Sequence, residues 1–137
     1  MLNISGINNG VVLDHIQAGK SMDIYHYLNL QELDCQIAII KNAKSNKMGR
    51  KDIIKIDRIL DLDWDVIGYV DPGITVNIIK DGQRVEKRQL KLPERIRNVI
   101  RCKNPRCISS IEEECDQIFE LSSNGKYRCI YCEQELQ

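Results

Sequence analysis

Short hydrophobic runs alternate with polar segments along the first 90 positions of the chain. The runs are rich in isoleucine, valine and leucine, and segments of this length and composition typically form β-strands. Five strands are predicted in this way, at residues 11–16, 36–41, 52–57, 74–80 and 83–90. Asp81-Gly82, between the last two, is typical of a tight hairpin turn. The polar segment 42–50 predicts a loop.

Two other segments show the spacing of helices. Ser21 is a candidate N-cap for a helix over residues 21–30, because Ile24 and Leu28 would then share one face. A second, weaker helix is predicted over residues 61–69, before an Asp-Pro-Gly turn. The predicted order is βαββαβ with one additional strand. That order indicates an α+β, ferredoxin-like domain, in which two helices cover one face of a sheet.

The pattern changes after residue 95, where four of the six cysteines form two close pairs. Four residues separate Cys102 from Cys107, and two separate Cys129 from Cys132. Two such pairs about 20 residues apart are typical of a structural zinc site, in which four thiolates complete a tetrahedral shell. Disulfide pairing is the alternative, and it requires an oxidising compartment. We therefore predict two domains, residues 1–95 and 96–137, the second a small zinc-bound β domain.

Composition excludes several broad classes of protein. The 137 residues include 20 Lys+Arg and 20 Asp+Glu, so the chain has no formal net charge. This balance disfavours a disordered acidic chain and a globally basic nucleic-acid-binding protein. No segment approaches the roughly 18 to 20 apolar residues that cross a bilayer, and the N-terminus lacks a signal-peptide pattern. A cytoplasmic protein with no membrane partner is predicted.

Basic residues are nevertheless concentrated in two bands. Residues 41–58 hold seven basic and two acidic side chains, and residues 80–97 hold seven basic and three acidic. Such bands are usually solvated surfaces, and they indicate an anion site only if folding brings them together. A zinc-ribbon nucleic-acid-binding protein, using a basic β platform, is the alternative function. The single Phe and single Trp leave few rings for base stacking.

Several separate pieces of sequence are informative in combination. They are GVVLDHI at 10–16, MGRKDIIKI at 48–56, TVN at 75–77, LPERI at 92–96, and the cysteine pattern with Asn104 and Cys107-Ile108-Ser109. In this order and spacing they resemble the regulatory chain of aspartate carbamoyltransferase. The resemblance covers nearly the whole chain and implies a non-catalytic subunit in pyrimidine biosynthesis. It also implies an N-terminal nucleotide-binding domain that forms regulatory-chain homodimers, and a C-terminal domain with one structural zinc that contacts the catalytic chain.

Position by position, the resemblance also implies an allosteric site for a nucleoside triphosphate such as CTP or ATP. Its polar residues would be Asp14, His15, Lys55, Asn77 and Lys87, with apolar or backbone contacts from Ile4, Ile7, Val12, Ile53 and Ile79. The two lysines and His15 would meet the phosphates, and Asp14 and Asn77 would bind ribose hydroxyls or support the lysines. No phosphate-binding glycine motif is present, and we predict no catalytic residues.

Overall fold

The computed structural model describes residues 7–136, and its first unit is built on a five-stranded antiparallel sheet. The spatial order of its strands is β2-β3-β1-β4-β5. The strands are β1 (Gly10–Gln17), β2 (Ile37–Ser45), β3 (Gly49–Ile56), β4 (Thr75–Lys80) and β5 (Gln83–Gln89). The helices are α1 (Ser21–Tyr27) and α2 (Trp64–Val70), with a 3-10 turn at Leu30–Glu32. The first four strands have the ferredoxin-like order, which confirms the predicted fold, and β5 is the additional edge strand.

One face of this sheet packs against the helices and forms the core. Because strand side chains alternate between faces, every second residue of the central strands is buried there. The core contains Val11, Leu13, Ile16, Ile24, Leu30, Ile54, Ile56, Ile67, Ile74 and Val76. We call the opposite face, on which Val12, Lys55, Asn77 and Lys87 lie, the outer sheet face.

Three local predictions differ from the structure. The segment 42–50 is largely strand, because β2 and β3 continue pairing as far as Ser45 and Gly49. A bulge in β2 after Ile40 accommodates the polar residues in this hairpin. The polarity of the segment therefore wrongly predicted a loop. Ser21 lies inside α1, which is preceded by Lys20, and the Ser21 hydroxyl bonds a carboxylate elsewhere in the fold. Helix α2 begins at Trp64 rather than near residue 61, since the Asp63 side chain caps it by accepting from the Val66 amide.

The carboxylate that accepts from the Ser21 hydroxyl belongs to Asp52, which is fully buried. It accepts hydrogen bonds from the amides of Gly19, Ser21 and Asn42, at 3.0 to 3.3 Å, and from the Ser21 hydroxyl at 2.6 Å. Burial raises the pKa of Asp52, but these hydrogen bonds outweigh it and hold the pKa below its ordinary value. Asp52 therefore joins the β1–α1 turn to the β2 bulge as a buried anion.

Replacing Asp52 with alanine is expected to destabilise the first unit by about 3 kcal/mol at pH 7, because several buried donors lose their acceptor. With a lowered folded pKa, this stabilisation is complete above the unfolded value near 3.9 and is lost as the pH falls through the folded pKa. Urea unfolding followed by Trp64 fluorescence, at pH 7 and pH 2.5, measures both effects. Asp57→Ala, at an exposed position, is the control. A difference between Asp52→Ala and wild type that does not shrink at low pH would contradict this role.

The second unit begins after Lys91, where the two units divide, earlier in the chain than the predicted boundary after residue 95. It is a three-stranded antiparallel sheet of β6 (Arg95–Arg97), β7 (Ile118–Leu121) and β8 (Tyr127–Cys129), with a short helix α3 (Ile108–Ile111). Phe119 is buried at its centre. None of the helices in residues 7–136 is long and apolar enough to cross a membrane.

Candidate functional site: a four-cysteine metal centre and the outer sheet face

The four predicted ligand cysteines converge in the second unit. The sulfur atoms of Cys102 and Cys132 lie 3.6 Å apart, as do those of Cys107 and Cys129, and all four lie within 4.8 Å of one another. A tetrahedral zinc with bonds of about 2.3 Å places its sulfur ligands about 3.8 Å apart. A disulfide requires about 2.05 Å. The arrangement therefore fits one closed, structural zinc and does not fit disulfides.

Two tight turns place the cysteines. In the first, the Cys107 amide donates to the Asn104 carbonyl at 3.1 Å, and the Arg106 amide donates to the Asn104 side chain at 3.1 Å. In the second, the Glu133 amide donates to the Cys129 carbonyl at 2.9 Å, with Glu133 in the left-handed region at φ 62°. Each turn directs its two thiols toward the same point.

Two further residues, Ser109 and Gln117, support this cluster, and sequence analysis assigned neither of them a role in it. The Ser109 hydroxyl, itself buried, lies 3.1 Å from the Cys107 sulfur. The buried Gln117 side chain accepts from the Cys102 amide at 2.8 Å and donates to the Ser109 carbonyl at 2.6 Å. Gln117 thus links both ends of the first turn. The Cys-X-Ser spacing could have indicated Ser109, but nothing local indicates Gln117, which is 15 residues from Cys102.

The surroundings of Cys102 and Cys107 shift the pKa values of these two thiols in opposite directions. Burial raises the pKa of Cys102, and hydrogen bonds with neighbouring cysteines raise it further, to about 12. Burial also opposes ionisation of Cys107, but hydrogen bonds from Ser109 outweigh burial and lower its pKa to about 7. Ionising Cys102, whose pKa is raised, therefore requires the positive charge of a bound cation.

Three of the five residues implied for nucleotide binding form one row across the first unit. Lys55 of β3 and Asn77 of β4 both pair with Val12 of β1, and Asn77 pairs with Lys87 of β5. Directly paired side chains share a face, so all of them lie on the outer sheet face. Three strand spacings separate the lysine backbones, about 14 Å. One lysine from each basic band of the sequence therefore lies on this surface.

Asp14 and His15 lie at a bulge in β1, next to this row. The bulge follows Leu13, and His15 within it has a left-handed backbone (φ 58°). Asp14 pairs with Thr75, and the His15 ring lies 3.3 Å from the Thr75 hydroxyl. The bulge thus brings the side chains of Asp14 and His15 to the same side, next to Thr75. In a regular strand, two consecutive side chains would point to opposite faces of the sheet.

Lys51 is a further charged residue here that sequence analysis did not select. Its ammonium group lies 2.9 Å from the Asp14 carboxylate, which also accepts from the His15 amide at 2.6 Å. Burial raises the pKa of Asp14, but these contacts outweigh it and lower the pKa below its ordinary value. Asp14 is therefore ionised at neutral pH and is paired with Lys51, which is not one of the two lysines implied for the phosphates.

Asn77 has an unusual environment. Its Oδ1 atom is buried, and no group in residues 7–136 donates a hydrogen bond to it. A buried carbonyl oxygen without a donor is costly, and this oxygen can meet a ligand donor only if the half-buried Asn77 side chain turns outward. Of the implied apolar contacts, Val12, Ile53 and Ile79 are half-buried strand residues and Ile7 precedes β1. Ile4 lies outside the described residues.

Comparison with known proteins covers both units. Residues 2–91 match the family described as "Aspartate carbamoyltransferase regulatory chain, allosteric domain", and residues 94–137 match "Aspartate carbamoyltransferase regulatory chain, metal binding domain". The aspartate carbamoyltransferase regulatory chain of Clostridium botulinum (strain Hall) is 51% identical over 136 residues, which cover 98% of this chain and 93% of the relative. This chain belongs to the family of aspartate carbamoyltransferase regulatory chains.

More distant members of the family also match nearly the whole chain. The regulatory chain of Clostridium acetobutylicum is 48% identical over 98% of this chain and 93% of its own length, and that of Bifidobacterium longum is 42% identical over 98% of both. The family is a regulatory one, with allosteric and metal-binding domains, and its name implies a catalytic chain as partner. The four cysteines lie in the metal-binding domain, where they suit one structural zinc. The zinc-ribbon nucleic-acid-binding alternative is not supported.

Proposed function

We propose that the outer sheet face of the allosteric domain binds a nucleoside triphosphate of the CTP or ATP class through Asp14, His15, Lys55, Asn77 and Lys87. Binding there biases the activity of the catalytic chain, and the zinc domain connects the two chains. The observation that carries this proposal is the row of directly paired residues, in which Asn77 lies between Lys55 and Lys87 on one face of the sheet.

The chemistry of the row matches the two ends of a nucleotide. The triphosphate carries several negative charges, and the ammonium groups of Lys55 and Lys87 can approach it on long side chains from opposite sides. The half-buried Asn77 side chain is an amide that, once turned outward, can accept from ribose hydroxyls or from the exocyclic amines of cytosine and adenine. Half-buried Val12 and Ile79 offer apolar surface next to these polar groups.

Regulation requires that the effector prefer one quaternary state. The coupling free energy can be no larger than the difference in nucleotide affinity between the two states of the assembly. Effectors that share this site but favour different states would act in opposite directions.

We also propose that the allosteric domains form a homodimer in the cytoplasm. Within the described part of the chain, strand β2 is at one edge of the sheet and pairs with β3 alone, so its other edge offers a surface for pairing with a second copy. All six cysteines are unpaired, as reducing conditions require.

Calorimetric titration of the zinc-loaded chain with CTP, and with a short single-stranded oligonucleotide at the same salt concentration, tests the site. CTP is expected to bind saturably, and Asn77→Ala to weaken it about fivefold through the lost hydrogen bond. Asn46→Ala, at an exposed turn, is the matched control. Oligonucleotide binding without CTP binding would contradict the proposed nucleotide site. Sedimentation of the same samples tests the proposed dimer.

A further inference from the structure

Strand β5 carries Lys87 but has little side-chain anchorage of its own. Among residues 7–136, it lies at the sheet edge and pairs with β4 alone. Six of its seven residues are exposed, and Val85 is 60% exposed. The one residue that is not exposed is Arg88. A phosphate-binding lysine on such a strand needs some other contact to hold it in place.

The start of β5 is tied to the segment before β1. The Gly82 amide donates to the Asn8 carbonyl at 2.9 Å, and the Asp81 amide donates to the Asn9 side chain at 3.2 Å. These bonds hold the hairpin turn. They lie at the opposite end of the strand from Lys87. The position of Lys87 therefore depends on contacts near the C-terminal end of β5.

Arg88 makes such a contact. Its guanidinium carbon lies 4.9 Å from the centroid of the Trp64 ring, within the range of a cation–π interaction. Glu86 holds the same guanidinium at 3.1 Å. Trp64 is the first residue of α2 and packs against the hydrophobic core. The contact therefore joins the edge strand to a fixed part of the domain.

The alternation of strand side chains connects this contact to the nucleotide site. Arg88 pairs with Val76, a core residue, and lies on the helix side, whereas Lys87 pairs with Asn77 and lies on the outer sheet face. The two residues are neighbours in sequence, so the Arg88 contact limits how far the Lys87 backbone can move.

We propose that Arg88 and Trp64 are positioning residues of the nucleotide site. They hold β5 in place, so that Lys87 contacts the phosphates without the loss of conformational entropy that ordering the strand would require. This inference rests on the proposed nucleotide-binding function. The inference implies that a nucleotide bound to Lys87 on the outer sheet face changes the environment of Trp64 on the helix side.

Trp64 is the single tryptophan of the chain, so its fluorescence reports this contact directly. Saturating CTP is expected to change Trp64 emission in the zinc-loaded wild-type chain. Arg88→Ala is expected to weaken CTP binding about threefold to fivefold by calorimetry, the equivalent of one cation–π contact, and to diminish the emission change. Arg88→Lys, which keeps a cation near the ring, should recover part of the affinity.

Lys91→Ala is the matched control, since it removes the same charge from an exposed position near the end of β5. The inference is overturned if Lys91→Ala weakens CTP binding as much as Arg88→Ala does, or if wild type binds CTP by calorimetry with unchanged emission. A wild type that does not bind CTP overturns the proposed function and the inference together.

A second pair of variants covers the case in which Arg88→Ala does not fold. Trp64→Phe keeps an aromatic face for Arg88 and should bind CTP like wild type, whereas Trp64→Leu keeps apolar bulk alone and should bind about threefold more weakly. Equal affinity in the two variants would contradict a positioning role for the ring.

Discussion

Replacing Cys107 with alanine is expected to abolish stoichiometric zinc binding, unfold the metal-binding domain and prevent assembly with the catalytic chain. The second unit has a core of few residues, centred on Phe119, and a segment of 46 residues is only marginally stable on such a core alone. Zinc binding to a four-thiolate site contributes roughly 10 to 16 kcal/mol to small domains of this kind. Loss of one ligand removes much of that contribution.

Cys107 is the most informative of the four positions. It is buried, its sulfur contacts both Cys129 and Ser109, and its backbone precedes α3. Its loss therefore disturbs the metal shell, the first turn and the short helix at once. The allosteric domain has its own core and is expected to remain folded.

Zinc content per chain, amide dispersion in NMR spectra and co-elution with the catalytic chain measure the three effects. Cys115→Ala is the matched control, because Cys115 is a half-buried cysteine of the same unit outside the metal cluster. Chelation of zinc from the wild type should reproduce the Cys107→Ala result. A Cys107→Ala chain that keeps one zinc and a native spectrum would show that three thiolates suffice.

Replacing Lys87 with alanine is expected to leave assembly intact and remove most of the response to nucleotides. A hydrogen bond to a charged group contributes about 1.5 to 3 kcal/mol, so the loss of one phosphate contact should weaken CTP binding roughly 10-fold to 100-fold. Lys87 is exposed and lies in the first unit, which leaves the zinc cluster undisturbed.

The measurement is the activity of the reconstituted assembly against CTP and ATP concentration, with calorimetry on the regulatory chain. Lys44→Ala removes an exposed lysine of β2 in the other basic band and serves as the control. The wild-type response should also weaken with rising salt, since charge attraction is screened. A Lys87→Ala assembly that responds like wild type would place the phosphates elsewhere.

The zinc centre could be predicted from the sequence because its determinants are local. Each cysteine pair is separated by a few residues, and a short turn can direct both thiols of a pair to one point. The hairpin at Asp81-Gly82 is similar, since both residues have the positive φ values that this dipeptide favours. Both features follow from neighbouring residues, whatever the rest of the chain does.

The nucleotide face was implied by resemblance and could not have been worked out from local patterns. Lys55 and Lys87 are 32 positions apart, and only strand pairing through Val12 and Asn77 puts them in one row. Strand register decides which residues share a face, and register is set by contacts across the sheet.

The chain sequence by itself determined the metal ligands, the hairpin turn and the order of helices and strands, because these depend on spacing over a few residues. Only the tertiary structure decided that His15 occupies a bulge, that Asp52 is a buried anion joining two turns, and that Arg88 lies over Trp64. Each of these depends on partners far apart in sequence. Their free energies arise from burial and pairing that exist only after the sheet has formed.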